Sequence, residues 1–121
     1  MSKRILVVED HEDNRQILRD LLASAGYDMI EAEDGEAGVA AAAAEHPDLI
    51  LMDIQLPILD GYEATRRIKA NPALNAIPII VVTSYALSGD EDKARTAGCD
   101  AYIPKPYSPR LLLARIREFL D

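Results

Sequence analysis

Five residues with chemical capacity stand at or just beyond the ends of short apolar runs. Glu9 and Asp10 follow Ile5–Val8, Asp53 follows Leu49–Met52, Thr83 follows Ile79–Val82 with Ser84 beside it, and Lys105-Pro106 comes shortly after Ala101–Ile103. If those runs are strands of one parallel sheet, three carboxylates, a hydroxyl and an ammonium converge on a single rim, because ligands of such sheets bind beyond the carboxyl ends of the strands. Three ionised carboxylates held a few ångströms apart repel by about 4 kcal/mol per close pair at an effective dielectric near 20. Either a carboxyl takes up a proton or a cation sits among them. An all-oxygen set without histidine or thiolate suits hard Mg2+, which binds through one or two carboxylates and completes its shell with phosphate oxygens. The set therefore points to a phosphoryl substrate, with Asp53 as a carboxylate nucleophile and Thr83 and Lys105 binding the phosphoryl oxygens.

The rest of the chain supplies the elements to hold these residues. Runs without polar alternation suit strands buried on both faces, and weaker ones at Tyr27–Ile30 and Ala101–Ile103 complete a set of five. Between them, apolar residues recur at helical spacing: Ile17, Leu18, Leu21, Leu22 and Ala25, then Ala37–Ala44, Tyr62–Ala70, Glu91–Ala97 and Leu111–Leu120. Gly26, Gly98 and Asn71-Pro72 stand just past proposed helix ends, and Ser108-Pro109 reads as a cap followed by a first-turn proline. Strands alternating with helices give an α/β fold, a doubly wound parallel sheet with helices on both faces.

Composition removes other classes. A chain of 121 residues with 49% hydrophobic and 28% charged residues is one ordinary globular domain. Its net charge of -8 opposes binding to a phosphate backbone, so no nucleic-acid partner is expected. The single cysteine, Cys99, allows no internal disulfide, and the apolar run after Met1-Ser2-Lys3-Arg4 is too short for a signal peptide; a cytoplasmic protein with no membrane partner is expected. Cys99 reads as a small buried residue, and His11 and His46 as exposed loop and helix-end residues. There is no Gly-x-Gly-x-x-Gly and no phosphate-binding Gly-Lys-Ser/Thr loop, and Glu9-Asp10-His11-Glu12-Asp13 would repel a flavin or nucleotide phosphate unless a metal intervened.

These residues resemble the receiver domain of two-component response regulators over essentially the whole chain. Val7-Val8-Glu9-Asp10 is similar to the family's acidic pair, Leu51-Met52-Asp53-Ile54-Gln55-Leu56-Pro57 with Asp60-Gly61 to its phosphoacceptor loop, and Val82-Thr83-Ser84 and Tyr102-Ile103-Pro104-Lys105-Pro106 to its two switch segments. The resemblance implies a flavodoxin-like sheet of order 2-1-3-4-5 across residues 1–121, with no output domain before the chain ends at Asp121. It implies that Asp53 accepts a phosphoryl group from a phosphohistidine of a histidine kinase or histidine phosphotransfer protein, and that a downstream protein target reads the result. Asp10 and Asp53 would hold Mg2+, Glu9 would act through a water on the metal, and the Gln55 backbone carbonyl would add a ligand. Thr83 and Lys105 match the family's hydroxyl and lysine, Tyr102 its switch aromatic, and the Lys105-Pro106 bond is expected to be cis. Asn14, with Asp60-Gly61-Tyr62-Glu63-Ala64-Thr65-Arg66, looks like phosphorelay receivers, and Asn14, Ile17, Pro106 and Tyr107 would meet the partner. The domain would be no enzyme, only an acceptor that assists its own phosphorylation and dephosphorylation. Tyr85, two residues after Thr83, would cover the phosphoryl face, and neutral Gln55 would be a weak base, so slow self-hydrolysis is expected. Two competitors remain: a phosphatase or mutase of the haloacid-dehalogenase kind, which needs an acid where Gln55 stands, and a degenerate receiver that binds partners without phosphorylation.

Overall fold

The computed structural model describes residues 2–83 and 90–121. Strands β1 (Arg4–Val8), β2 (Asp28–Ala32), β3 (Leu49–Met52), β4 (Ile79–Thr83) and β5 (Ala101–Pro104) alternate with helices α1 (Glu12–Ser24), α2 (Gly35–Glu45), α3 (Gly61–Ala70), α4 (Asp90–Ala97) and α5 (Pro109–Leu120). All strand pairs are parallel and the order is β2-β1-β3-β4-β5, as expected. Among the described residues no helix is long and apolar enough to cross a membrane.

Alternation along the central strands sorts their side chains between two cores. Leu6, Val8, Ile50, Met52, Ile79 and Val81 face Ala42, Ala64, Ile68 and Ala94 of α2, α3 and α4. Ile5, Val7, Leu49, Leu51, Ile80 and Val82 face Leu18 and Leu22 of α1 and Leu112 and Ile116 of α5. β2 begins one residue later than the sequence suggests and runs on through Glu31 to Ala32. As an edge strand it is only half covered, so a polar residue can sit within it without breaking the ladder. Ser108, Gly26 and Gly98 bound their helices as the sequence implies, and Asp34 and Asp60 add caps that the sequence reading left unmarked. Asp34, Asp60 and Ser108 cap α2, α3 and α5 by accepting from Ala37, Glu63 and Leu111 backbone N–H groups. Gly26 and Gly98 take positive φ just past α1 and α4.

Two glycines let a helix start against the loop that follows β3. A Cβ on Gly61 would lie 2.0 Å from the Asp53 carbonyl oxygen, and one on Gly35 would lie 1.8 Å from the Leu59 carbonyl oxygen. Helix propensity alone favours alanine over glycine by about 1 kcal/mol. Because the obstacle at Gly61 is backbone, Gly61→Ala is expected to lose about 2 kcal/mol instead, in the range of overpacked sites. Urea denaturation of the two proteins checks the sign.

Candidate functional site

The site lies at the carboxyl edge of β1, β3, β4 and β5, where the chain leaves β1 for β2 on one side and returns to β3 on the other. In doubly wound sheets this reversal of strand order opens the binding crevice. Val8 is registered with Met52, so the next residues, Glu9 and Asp53, emerge side by side. Backbone bonds carry the ladder past the last paired residues: Asp53 N–H donates to Val8 at 3.1 Å, Glu9 N–H to Ala32 at 3.0 Å, and Lys105 N–H to Thr83 at 2.7 Å. The positions of the reacting groups are therefore set by the sheet and not by mobile loop ends.

Glu9 is 2% exposed, Asp53 8% and Thr83 fully buried. Lys105 Nζ stands 3.4 Å from Asp53 Oδ2 and 3.6 Å from Glu9 Oε2. Asn14 Nδ2 donates to Glu9 Oε1 at 2.6 Å, and the Ile54 N–H donates to Asp53 Oδ1 at 2.7 Å. The two buried carboxyls share a hydrogen bond, which pushes their affinities for a proton apart. Burial, then the bond to Glu9, raises the Asp53 pKa to about 7 against the pull of Lys105 and the Ile54 amide. Burial pushes Glu9 upward as well, but the hydrogen bonds from Asp53 and Asn14 and the charge of Lys105 outweigh it and leave Glu9 below its ordinary value. Of the two remedies for crowded carboxylates, a proton is the one that the raised pKa of Asp53 favours, on that group below about pH 7.

Asp10 stands apart from this pair. Its Oδ1 is buried without a hydrogen-bond partner, although His11 Nδ1 lies 3.1 Å away, outside hydrogen-bond alignment. A carboxylate oxygen removed from water with no donor is costly unless something supplies positive charge. Glu9, Asp10 and His11 each bring a possible ligand atom to within 4.8 Å of the others. His11 is exposed as the sequence implied, yet its ring nitrogen also lies 3.3 Å from Glu9 Oε1, a proximity that the reading as a plain loop residue missed. The donor set of Asp10, Asp53 and Glu9 fits a hard cation, and the orphaned oxygen is where its charge is needed.

Gln55 lies in the loop after Asp53 with its side chain exposed. The same loop holds Ile58 at φ 71°, 75% exposed, with the Leu59 N–H donating to Pro57 at 2.7 Å across it. A β-branched residue in that region costs on the order of 1–3 kcal/mol and persists where its surroundings fix it. Tyr102 is half-buried against the α2–α4 core, and the Lys105-Pro106 bond is cis. Ser84 and Tyr85 lie outside the described residues. Asn14, Ile17 and Leu18 of α1 face Lys105, Pro106, Tyr107 and Pro109 across a groove of about 380 Å³, so the four residues expected to meet a partner line one depression beside Lys105. Ile17 is 56% exposed, which departs from its place in the apolar pattern of α1. Arg15 takes the buried position in its stead. The signal was present, since Arg15 stands three residues before Leu18 and seven before Leu22, on their face of the helix. Cys99 is buried, and burial raises its thiol pKa.

A carboxyl whose pKa is raised on folding favours the native state below its unfolded pKa and loses that contribution as pH rises through the folded value. For Asp53 the window runs from 3.8 to about 7. Asp53→Asn, neutral throughout, is therefore expected to melt above the wild type at pH 8 without divalent metal by about 2 kcal/mol, with the gap narrowing toward pH 4. Thermal unfolding across that range checks it.

Residues 5–117 match the family model for the response regulator receiver domain. The polar-differentiation response regulator DivK of Brucella ovis is 43% identical over 120 residues, 99% of this chain and 98% of that protein, and its counterpart in Brucella anthropi is 42% identical over the same span. Among solved structures, the receiver domain of a sensor histidine kinase from Pseudomonas aeruginosa PAO1, with a magnesium ion coordinated in its active site cleft, superposes with a TM-score of 0.92 at 37% identity, covering 99% of this chain and 98% of that one. A CheY-like receiver domain protein from Methanospirillum hungatei gives 0.91 at 36% identity, covering 100% and 95%. With its sheet order, its acidic edge and these likenesses in agreement, the chain belongs to the response regulator receiver domain family.

Proposed function

We propose that residues 1–121 act as one receiver unit in which Asp53 accepts a phosphoryl group from the phosphohistidine of a histidine kinase or histidine phosphotransfer protein and passes the signal to a protein target. The observation that carries this is the setting of one buried acid, since Asp53 sits against Glu9 and under Lys105, while Asp10, with its orphaned oxygen, brings a ligand atom within 4.8 Å of one on Glu9. Asp10 and Asp53 would hold Mg2+ with the Gln55 carbonyl, and Glu9 would act through a water on the metal. Bound there, Mg2+ would neutralise the carboxylates and the phosphoryl oxygens, as a metal ion does in phosphoryl transfer generally. The magnesium in the Pseudomonas receiver domain's cleft supports that choice of metal.

The chain's own groups divide the remaining work. A deprotonated Asp53 oxygen attacks phosphorus, the phosphorus–nitrogen bond to the donor imidazole breaks, and its electron pair stays on the imidazole. The sheet edge holds Asp53 for that approach, and the Ile54 N–H bond to Oδ1 limits rotation of the carboxylate. Lys105, already 3.4 Å from Oδ2, offers its ammonium to the phosphoryl oxygens, and the Thr83 hydroxyl offers a second donor. The same groups would serve hydrolysis of the acyl phosphate, so the domain assists both its loading and its loss without turning over a separate substrate. Thr83 drawn toward the phosphoryl group would free space for Tyr102 to turn inward, the two forming the switch. The groove of Asn14, Ile17, Pro106 and Tyr107 opens next to Lys105, a surface from which a partner's histidine could reach Asp53. The cytoplasm, where such donors and Mg2+ occur, is the proposed compartment.

Incubation with a small phosphodonor and Mg2+, followed by intact mass, is expected to give one phosphoryl adduct, and none in Asp53→Asn. Turnover of many equivalents would support a phosphatase instead, and an unmodified wild type a degenerate receiver. The proton on Asp53 must leave before the metal binds. Mg2+ affinity is therefore expected to rise roughly tenfold per pH unit up to about pH 7 and then level off. Calorimetric titration at several pH values measures that profile.

A further inference from the structure

Arg15 is 5% exposed, and among the described residues no other lysine or arginine is buried. Its Nη1 donates to the Glu9 carbonyl at 2.7 Å. That carbonyl belongs to the peptide joining Glu9 to Asp10, and the peptide is planar, so a bond at its oxygen orients the chain entering Asp10. The Glu9 N–H is already tied to Ala32 at 3.0 Å. The backbone of Glu9 is thus gripped at both ends, by β2 on one side and by Arg15 on the other. The Asp10 carboxylate has no comparable hold of its own, since its Oδ1 is buried without a hydrogen-bond partner.

We propose that Arg15 is a positioning residue for the cation site, setting the place of the Asp10 carboxylate through the Glu9–Asp10 peptide; this rests on the reading of Asp10 and Asp53 as cation ligands. The guanidinium is itself fixed. Nη2 donates to Glu12 Oε2 at 2.6 Å and to Glu33 Oε1 at 3.2 Å, and Nε stands 3.3 Å from Glu31 Oε1. Those glutamates come from α1, from β2 and from the loop after it, so the rigid fork registers the helix against the edge strand and delivers one donor to the site loop. A lysine has the charge without the fork and cannot make these bonds together. Arg19 provides the contrast. It pairs with Glu12 at 3.3 Å and Glu31 at 2.6 Å, two of the same acids, one helical turn farther along α1.

Charge and position predict opposite signs. Removing a cation near an acidic site should tighten Mg2+ if only charge matters, whereas loosening Asp10 should weaken it. Mg2+ affinity is measured by calorimetry for the wild type, Arg15→Met, Arg15→Lys and Arg19→Met, with melting temperature alongside and intact mass after a small phosphodonor at saturating Mg2+. Both Arg15 variants are expected to bind Mg2+ about tenfold or more weakly, the size typical when a group that orients a metal ligand is lost. Their adduct should return at saturating Mg2+, while Arg19→Met stays within about twofold of the wild type in affinity. If Arg15→Met does not fold, Arg15→Lys decides, because it keeps a cation among the three glutamates. Mg2+ affinity unchanged or tighter in folded Arg15→Lys overturns the proposal and leaves Arg15 a structural clamp. A wild type that neither binds Mg2+ nor takes up phosphate overturns the underlying reading, and this one with it.

Discussion

Two carboxyl groups removed from water and set side by side are the constraint around which this molecule is arranged. Glu9 and Asp53 emerge from adjacent strands in register, so the sheet itself forces them together. Burying an acid disfavours its charged form, and a second acid beside it disfavours it further. The fold meets that with partners on every side: Asn14 and Lys105 on Glu9, and Lys105 and the Ile54 amide on Asp53, with the Asp53 pKa raised to about 7. None of these would be required if the edge of the sheet carried apolar residues. The arrangement stores electrostatic strain where a cation can release it.

The surrounding architecture keeps that strain from relaxing. Backbone hydrogen bonds continue beyond the last registered residues of β1, β3 and β5, so the groups cannot separate without breaking the ladder. Two apolar cores, one on each face, hold the central strands against α1 and α5 on one side and α2, α3 and α4 on the other. The site is thus built on rigid elements, with the loops supplying access.

Much of this was legible in the residues. Uninterrupted apolar runs marked β1, β3 and β4 because both faces of those strands are buried, and the acids and the lysine could be placed at one edge because parallel strands end together. β2 was less legible: on an edge, its exposed Glu31 looks like the end of a strand when it is part of one. The α1 pattern misled in a different way, since Ile17 looks like core and Arg15 like surface, while the structure exposes the first and buries the second. Spacing alone places Arg15 on the buried face with Leu18 and Leu22, but an apolar pattern passes over a cation whose partners Glu31 and Glu33 are remote in sequence. Nor does spacing reveal that Glu9 and Asp53 shift each other's pKa, because that depends on distances set by the sheet register.

The loop from Asp53 to Asp60 is pinned at both ends, by Gly61 against the Asp53 carbonyl and by Gly35 against that of Leu59. Each contact leaves no room for a side chain, so an inserted or deleted residue would displace two helix starts at once. The geometry thereby favours substitution over a change of length in this stretch. The positions free to vary are those that point outward, Gln55, Pro57 and Ile58. Descendants of this sequence could exchange those side chains, and so acquire new protein neighbours, while inheriting the geometry around Asp53 unchanged.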